Sequence, residues 1–274
     1  MGLRVNNNIF SLNAQRNLSN VSERLSGNFA RLSSGLRIAS ASDDAAGLGI
    51  AERMRSQIRS LNQAGRNAQD GISLAQTAES ATNETNSNLV RMRELAVQAS
   101  NGTLNTGDRA VLNTEFTALV NEIERVATQT TFNNVNLLDG SSSSISIQVG
   151  AESGEQIDVS LSDISRSGLG ISGSSFDLTT TTNAGAALNT IDTAIDSLTT
   201  FRGNLGAVQN RLSSTSRSIA ATVEGLTASE SRIRDVDVAS ETADLTRNSI
   251  LQQAALSVLS QANTQPQIAL SLLG

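Results

Sequence analysis

Apolar residues Ile9, Leu12, Leu18, Val21, Leu25, Phe29 and Leu32 fall mostly three, four or seven positions apart. That spacing lines one face of a helix and predicts one over residues 8–35. "SSGLRIASAS" at 33–42 breaks the pattern. A second run goes from Asp43 to about Ala99, with Met54, Ile58, Leu61, Ala68, Ile72 and Ala75 on one seam. Leu89, Met92, Leu95 and Ala99 continue it. At about 1.5 Å per residue this helix would be roughly 85 Å long, a rod beside the usual three-turn helix. "NGTLNTGD" at 101–108 has turn chemistry. A third helix follows, carried by Leu112, Phe116, Leu119, Ile123 and Val126. The short connection implies an antiparallel helical hairpin.

The period changes near Thr131. "SISIQVG" (144–150) and "QIDVSLS" (156–162) alternate apolar and polar residues around "AESGE". They predict a β-hairpin with one buried face. "SGSSFDLTTTTNAG" (172–185) is polar and of low complexity, which predicts a surface loop. The last helical region begins near Ala186. Leu205, Leu212, Ile219, Leu226 and Ile233 recur every seven residues, beside Val208 and Val223, which marks a coiled-coil seam. "RDVDVASE" weakens the seam at 234–241, and it resumes from Leu245 through Leu251, Ala255, Leu256 and Leu259 to Ala262. The expected fold is mainly α: an elongated antiparallel helical bundle or coiled-coil rod with a small β-hairpin region, plus paired N- and C-terminal helices. The expected division is 1–42 with 235–274 as the terminal pair, 43–234 as a rod domain with strands at about 131–171, and 172–185 as a short loop.

Composition narrows the function. The chain has no Cys and no His, so thiolate and His-based catalysis, disulfides and Cys or His metal sites fall away. No cofactor is expected. A net charge of −6 argues against nucleic acid as a partner. No stretch is long and apolar enough for a membrane span, and the N-terminus lacks the apolar core of a cleavable signal peptide. After Pro266 the tail "QIALSLLG" is almost wholly apolar. Its expected fate is burial against another copy, with the two termini ordering on contact.

Long blocks of the chain resemble bacterial flagellins. "LSSGLRIASASDDAAGLGIAERMRSQIRSLNQA" resembles the N-terminal signature of that family, and "RMRELAVQASNGT" and "FNNVNLLDG" its next blocks. "IQVGAESGEQIDVSL" and "ISRSGLGI" resemble its hairpin and the segment after it. The region from "LGAVQNRLSS" to the end is similar to its C-terminus. Where larger flagellins insert outer domains, this chain has only residues 172–185, so the likeness is to a minimal form. The resemblance implies a non-enzymatic structural subunit that self-assembles into an extracellular flagellar filament for swimming. It implies export, unfolded, by the flagellar type III system, with an export chaperone, a cap and hook-junction proteins as partners. The terminal helices would line the filament interior and the rod would form the outer shell. An open polymer needs head-to-tail contacts between complementary patches.

Candidate sites follow from both readings. Asp43 and Asp44 beside Gly47 and Gly49 invite a hydrolase reading. Adjacent helical side chains diverge, however, and no strand or basic residue gives the glycines a phosphate context. Ser42 as N-cap with two acids in the first helical turn accounts for the stretch. By resemblance it is also the joint where neighbouring subunits touch. The terminal-core packing set is Ile9, Leu12, Leu18, Val21, Leu25, Leu251, Leu256, Leu259, Leu270 and Leu273. By resemblance, Arg91, Leu95 and Glu115 form the surface contacted by the flagellin-sensing innate Toll-like receptor. Val90 and Leu119 stand there where recognised members often carry Gln and Arg. The hook–filament junction protein, which has similar termini, is the alternative within the same class.

Overall fold

The structure, a computed structural model, describes residues 7–173 and 176–271. Five helices carry most of the chain: α1 (Ile9–Ser34), α2 (Ala45–Ala99), α3 (Thr106–Gln129), α4 (Thr181–Arg234) and α5 (Val238–Ser271). Between α3 and α4 lie two antiparallel pairs, β1 (Thr131–Phe132) with β2 (Val135–Asn136), and β3 (Ser144–Gln148) with β4 (Gln156–Ser160). The mainly α expectation holds. Two compact units form: residues 1–56 with 225–274, and residues 57–224.

Helix ends follow local chemistry. Asn8 accepts from the Ser11 N–H to open α1, and Gly35 closes it at φ 72°, donating to the Arg31 carbonyl. That left-handed position suits glycine, which has no Cβ to clash. A capping box opens α3: Asn105 accepts from the Asp108 N–H at 2.9 Å and Asp108 accepts from the Asn105 N–H at 3.3 Å. The fourth helix starts at Thr181, earlier than the polar stretch predicts. There Thr180 accepts from the Asn183 N–H, and Asp177 takes the Thr179 N–H and the Asn183 amide. The threonines read as loop are therefore largely a helix start.

Residues 57–224 have a continuous core. Leu89, Met92, Phe116, Ile123, Leu138, Ile191 and Leu198 are fully buried in it. Alanines such as Ala68, Ala75, Ala78, Ala187 and Ala194 share the stripes and let the helices approach closely. The hairpin adds Ile157 and Val159, which alternate with exposed Gln156, Asp158 and Ser160 as its period predicts. Across the ladder Ser146 donates to Asp158 at 2.6 Å. Gly71 lets α2 pass this sheet: a Cβ there would lie 3.1 Å from Ile147 and 3.2 Å from Leu212. The small β1–β2 hairpin is not visible as periodicity, since each strand has two residues. Its signal is Asn133-Asn134, both at positive φ (47° and 64°), as a two-residue hairpin turn demands.

Serine and threonine are tolerated in α2 because their hydroxyls are satisfied within the helix. Thr82 and Thr85 are fully buried, yet donate to the carbonyls of Ala78 (2.6 Å) and Ala81 (3.1 Å). No helix among the described residues is long and apolar enough to cross a membrane.

The neighbours Leu89 and Val90 test the placement of the core. Leu89→Ala should lower unfolding free energy by about 2–5 kcal/mol in guanidinium titration. Val90→Ala, on the exposed side of the same helix, should change it by less than about 1 kcal/mol.

Candidate functional site

The terminal unit has little to bury, and most of its apolar surface faces outward. Helices α1 and α5 pack antiparallel: Ser11 bonds Asn263, Ser22 meets Gln252, and Asn28 meets Asn248 and Glu241. On α1 the seam is Ala14, Leu18, Val21, Leu25, Asn28 and Leu32, at alternating steps of four and three. Leu245, Asn248, Gln252, Ala255, Leu259 and Ala262 answer from α5. Leu18, Val21, Leu25 and Leu259 are therefore part of the packed pair, as their spacing predicts.

Four expected members are not. Ile9 and Leu12 on α1, and Leu251 and Leu256 on α5, are exposed, and Leu256 is 51% accessible. Phe29, placed with α1's face by spacing, is exposed as well, together with Phe10 at 57%, Ile250 and Val258. The reason is geometric. Apolar residues lie on more than one face of each helix, and only one face can meet the intrachain partner. The side chain of Leu270, and Leu273 altogether, lie outside the described residues.

Polar groups fill the seam where leucines were expected. Asn28 (5% exposed) donates to Glu241 (8% exposed) at 2.5 Å. Asn248 donates to the Asn28 oxygen at 2.9 Å, and Arg31 pairs with Glu241 at 3.5 Å. Asn8 donates to the Ala262 carbonyl at 2.7 Å. Period-based reading misses these residues because it scores apolar positions only. Asparagine at seven-residue spacing from Ala255 and Ala262 was the available signal.

The "SASDDAAGLG" stretch lies in the same unit. The expected cap is corrected: α2 begins at Ala45, and Asp44 is its N-cap. Asp44 accepts from the Gly47 N–H at 2.9 Å, and its carbonyl takes the first helical bond from Leu48 at 3.0 Å. Ser42 is two residues too early; its hydroxyl meets that of Ser40 at 2.7 Å. Asp43 turns the other way and accepts from the N–H groups of Ala39 (3.2 Å) and Ser40 (2.9 Å) and the Ser40 hydroxyl (3.0 Å). The Ser40 N–H, then the Ser40 hydroxyl, then the Ala39 N–H hold its carboxyl below the ordinary aspartate value. Each acid is committed to a different backbone segment, so the two do not form an acid/base pair, and the hydrolase reading has no geometry.

The glycines differ in kind. A methyl group at Gly47 would collide with the capping carboxylate of Asp44 and come within 2.8 Å of buried Ile38. Gly49 faces open space. Opposite the Asp43 turn, Arg37 donates its backbone N–H to the Arg234 carbonyl at 2.6 Å and its guanidinium to that of Ile233 at 2.7 Å. Val236 returns a bond to Gly35, and Leu36 bridges Asp235. The Arg234 side chain reaches Glu52 on α2 at 3.2 Å. The break between α4 and α5 is thus a backbone crossing tied on both sides.

On the other unit, Arg91 bonds Glu115 at 2.9 Å and Glu94 at 2.8 Å, all three exposed. Leu95 does not join them. At 1% exposure it belongs to the core, on the buried stripe that Leu89, Met92 and Ala99 form along α2.

Residues 5–143 match the family profile for the bacterial flagellin N-terminal helical region, and residues 188–273 match that for the C-terminal helical region. The chain belongs to the bacterial flagellin family. It is 49% identical over 269 residues to a flagellin of Halalkalibacterium halodurans, covering 98% of this chain and 99% of the relative. A flagellin of Bacillus subtilis is 43% identical over 99% of this chain and 100% of its own length. The crystal structure of Bacillus cereus flagellin superposes with a TM-score of 0.51 at 32% identity, over 56% of this chain and 88% of that one. Flagellins are structural proteins, and this one is not an enzyme. With only residues 144–187 between the two matched regions, it is a minimal form.

The two aspartates should separate experimentally. A carboxylate whose pKa is depressed by folding contributes stability that is present above its unfolded value and lost as pH falls through the folded one. Asp43→Asn should therefore lower the thermal midpoint at neutral pH, and the gap to wild type should close below the ordinary aspartate range. Gly47→Ala should lower the midpoint at both ends of such a series, since it disturbs packing and the Asp44 cap together.

Proposed function

We propose that this flagellin is the self-assembling subunit of an extracellular bacterial flagellar filament that serves swimming. The observation that carries the reading is the apolar surface that the two terminal helices leave exposed when paired with each other. Phe10, Leu12, Phe29, Ile250, Leu256 and Val258 are all exposed in the single chain. A soluble chain that keeps so much apolar surface on two paired helices has a further copy as its natural cover. Relatives from Treponema named flagellar filament core proteins, 38–41% identical over 98% of the chain, support the same role. Residues 1–42 with 235–274 form the inner core of the filament, and residues 43–234 form its outer shell.

The joint is a further subunit contact. Ser42, Asp43, Asp44, Gly47 and Gly49 are half-buried or exposed in one chain. The open side of Gly49 lets a neighbouring backbone come close. Export runs through the flagellar type III system with a chaperone, and growth occurs under a cap on a hook-junction base. The absence of cysteine suits passage as an uncrosslinked chain. The Arg91–Glu115 surface is the part recognised by the flagellin-sensing Toll-like receptor. Val90, exposed beside it, and half-buried Leu119 weaken polar contact there.

Seeding purified protein onto short filament fragments, followed by electron microscopy, tests the role. Wild type should elongate the seeds. Ile250→Asp/Leu256→Asp should not, although its far-ultraviolet circular dichroism stays close to wild type. Normal growth of that variant would remove the exposed apolar surface of α5 from the account. Gly49→Ala adds a second arm. It should stabilise the free chain by up to about 1 kcal/mol, because the site is open and alanine favours helix, and should slow elongation.

A further inference from the structure

The α1–α5 seam raises a problem of register. Leu18, Leu25 and Leu32 repeat every seven residues on α1, and Leu245 and Leu259 are two such steps apart on α5. Sliding one helix past the other by seven residues would keep the same seam positions facing each other, with a leucine of α1 again opposite a leucine of α5. Apolar burial therefore specifies the face but not the axial alignment.

The polar residues are not repeated in this way. Asn28 and Glu241 are the buried polar residues of this unit among those described, and each is the other's partner. Asn248 completes the Asn28 amide, and Arg31 supplies the opposing charge to Glu241. A seven-residue slip in one direction sets Asn28 against Ala255 and removes Glu241 from both Asn28 and Arg31. A slip in the other direction leaves Asn28 beside Glu241 but takes it away from Asn248, and it carries Arg31 one heptad beyond Glu241. Either slip leaves part of the buried network without its partners, which the aligned state avoids. Sliding by one or two residues would take the leucines off the seam, and a slip of three or four also parts Asn28 from Glu241 or Asn248.

We propose that the Asn28–Glu241–Asn248 network, charge-balanced by Arg31, specifies the register of α1 on α5. It thereby determines which outward apolar residues of the two helices come to lie side by side. The competing device is the backbone crossing at Leu36 and Asp235, whose bonds also tie the two segments.

The chain contains no cysteine, so paired spin labels can be placed freely. Exposed Ser26 and Ser260 are offset along the helix pair, so a slip of one heptad shifts one label past the other by about 10 Å. Ser26→Cys/Ser260→Cys in the otherwise wild-type full chain, with sucrose present to favour the folded pair, should give one narrow distance. The same labels on Asn28→Leu/Glu241→Leu/Asn248→Leu should give at least one further population shifted by about 10 Å, with helix content retained. Val236→Pro, which removes the bond to Gly35, should keep the single distance. A single unshifted distance in the leucine variant overturns the proposal, as does a slipped population in Val236→Pro. A broad, featureless distribution in wild type or in the leucine variant also overturns it, because the helices would then not be paired as argued.

Discussion

Everything in the terminal unit depends on how two helices from opposite ends of the chain meet. Residues 9–34 reach their partner more than 200 positions later, so closing this pair is entropically expensive and must be repaid at the seam. That seam is thin. It holds a few half-buried leucines, three alanines and a polar network, while phenylalanines and larger aliphatics are left exposed. A pair built this way is specific before it is strong. Its geometry comes from Asn28, Glu241 and Asn248, and its remaining apolar surface is left for contact with other copies.

The other unit solves the opposite problem. Residues 57–224 bury large side chains completely, with Phe116 against Phe176 at 5.1 Å between ring centroids and alanine stripes that bring long helices into contact. Its hydroxyls close onto their own helix, as Thr82 and Thr85 do, so a Ser- and Thr-rich sequence still forms a dry core. Surface ion pairs such as Arg91–Glu115 and Arg93–Asp192 decorate this unit and add little to its stability.

Much of this architecture is legible from spacing. Heptads from Leu205 to Leu226 place α4, and alternation places β3 and β4, because a buried stripe imposes its period on the sequence. Other features leave no period. The β1–β2 turn rests on two asparagines at positive φ, and α4 begins five residues early because Asp177 and Thr180 cap it. At the candidate site, reading Asp43 and Asp44 as structural holds, but the cap falls on Asp44 because its carbonyl, not that of Ser42, receives the first helical bond. Ile9, Leu12, Leu251 and Leu256 satisfy helical spacing yet stay exposed in the single chain. Spacing shows that an apolar face exists, and it cannot show whether the covering surface comes from the same chain. Leu95 shows the converse: spacing puts it on the buried stripe with Leu89, Met92 and Ala99, and only likeness puts it on the recognised surface.

The central claim is that the exposed apolar residues of α1 and α5 are left open within one chain and are covered by other copies. Amide hydrogen exchange along the whole chain, compared between free protein and seeded filaments, addresses it directly. The account predicts that amides in α1 and α5 gain the largest protection on assembly, while those of Leu89, Ile123 and Leu198 are slow in both states. Equal protection of α1 and α5 in the free and assembled protein would contradict it.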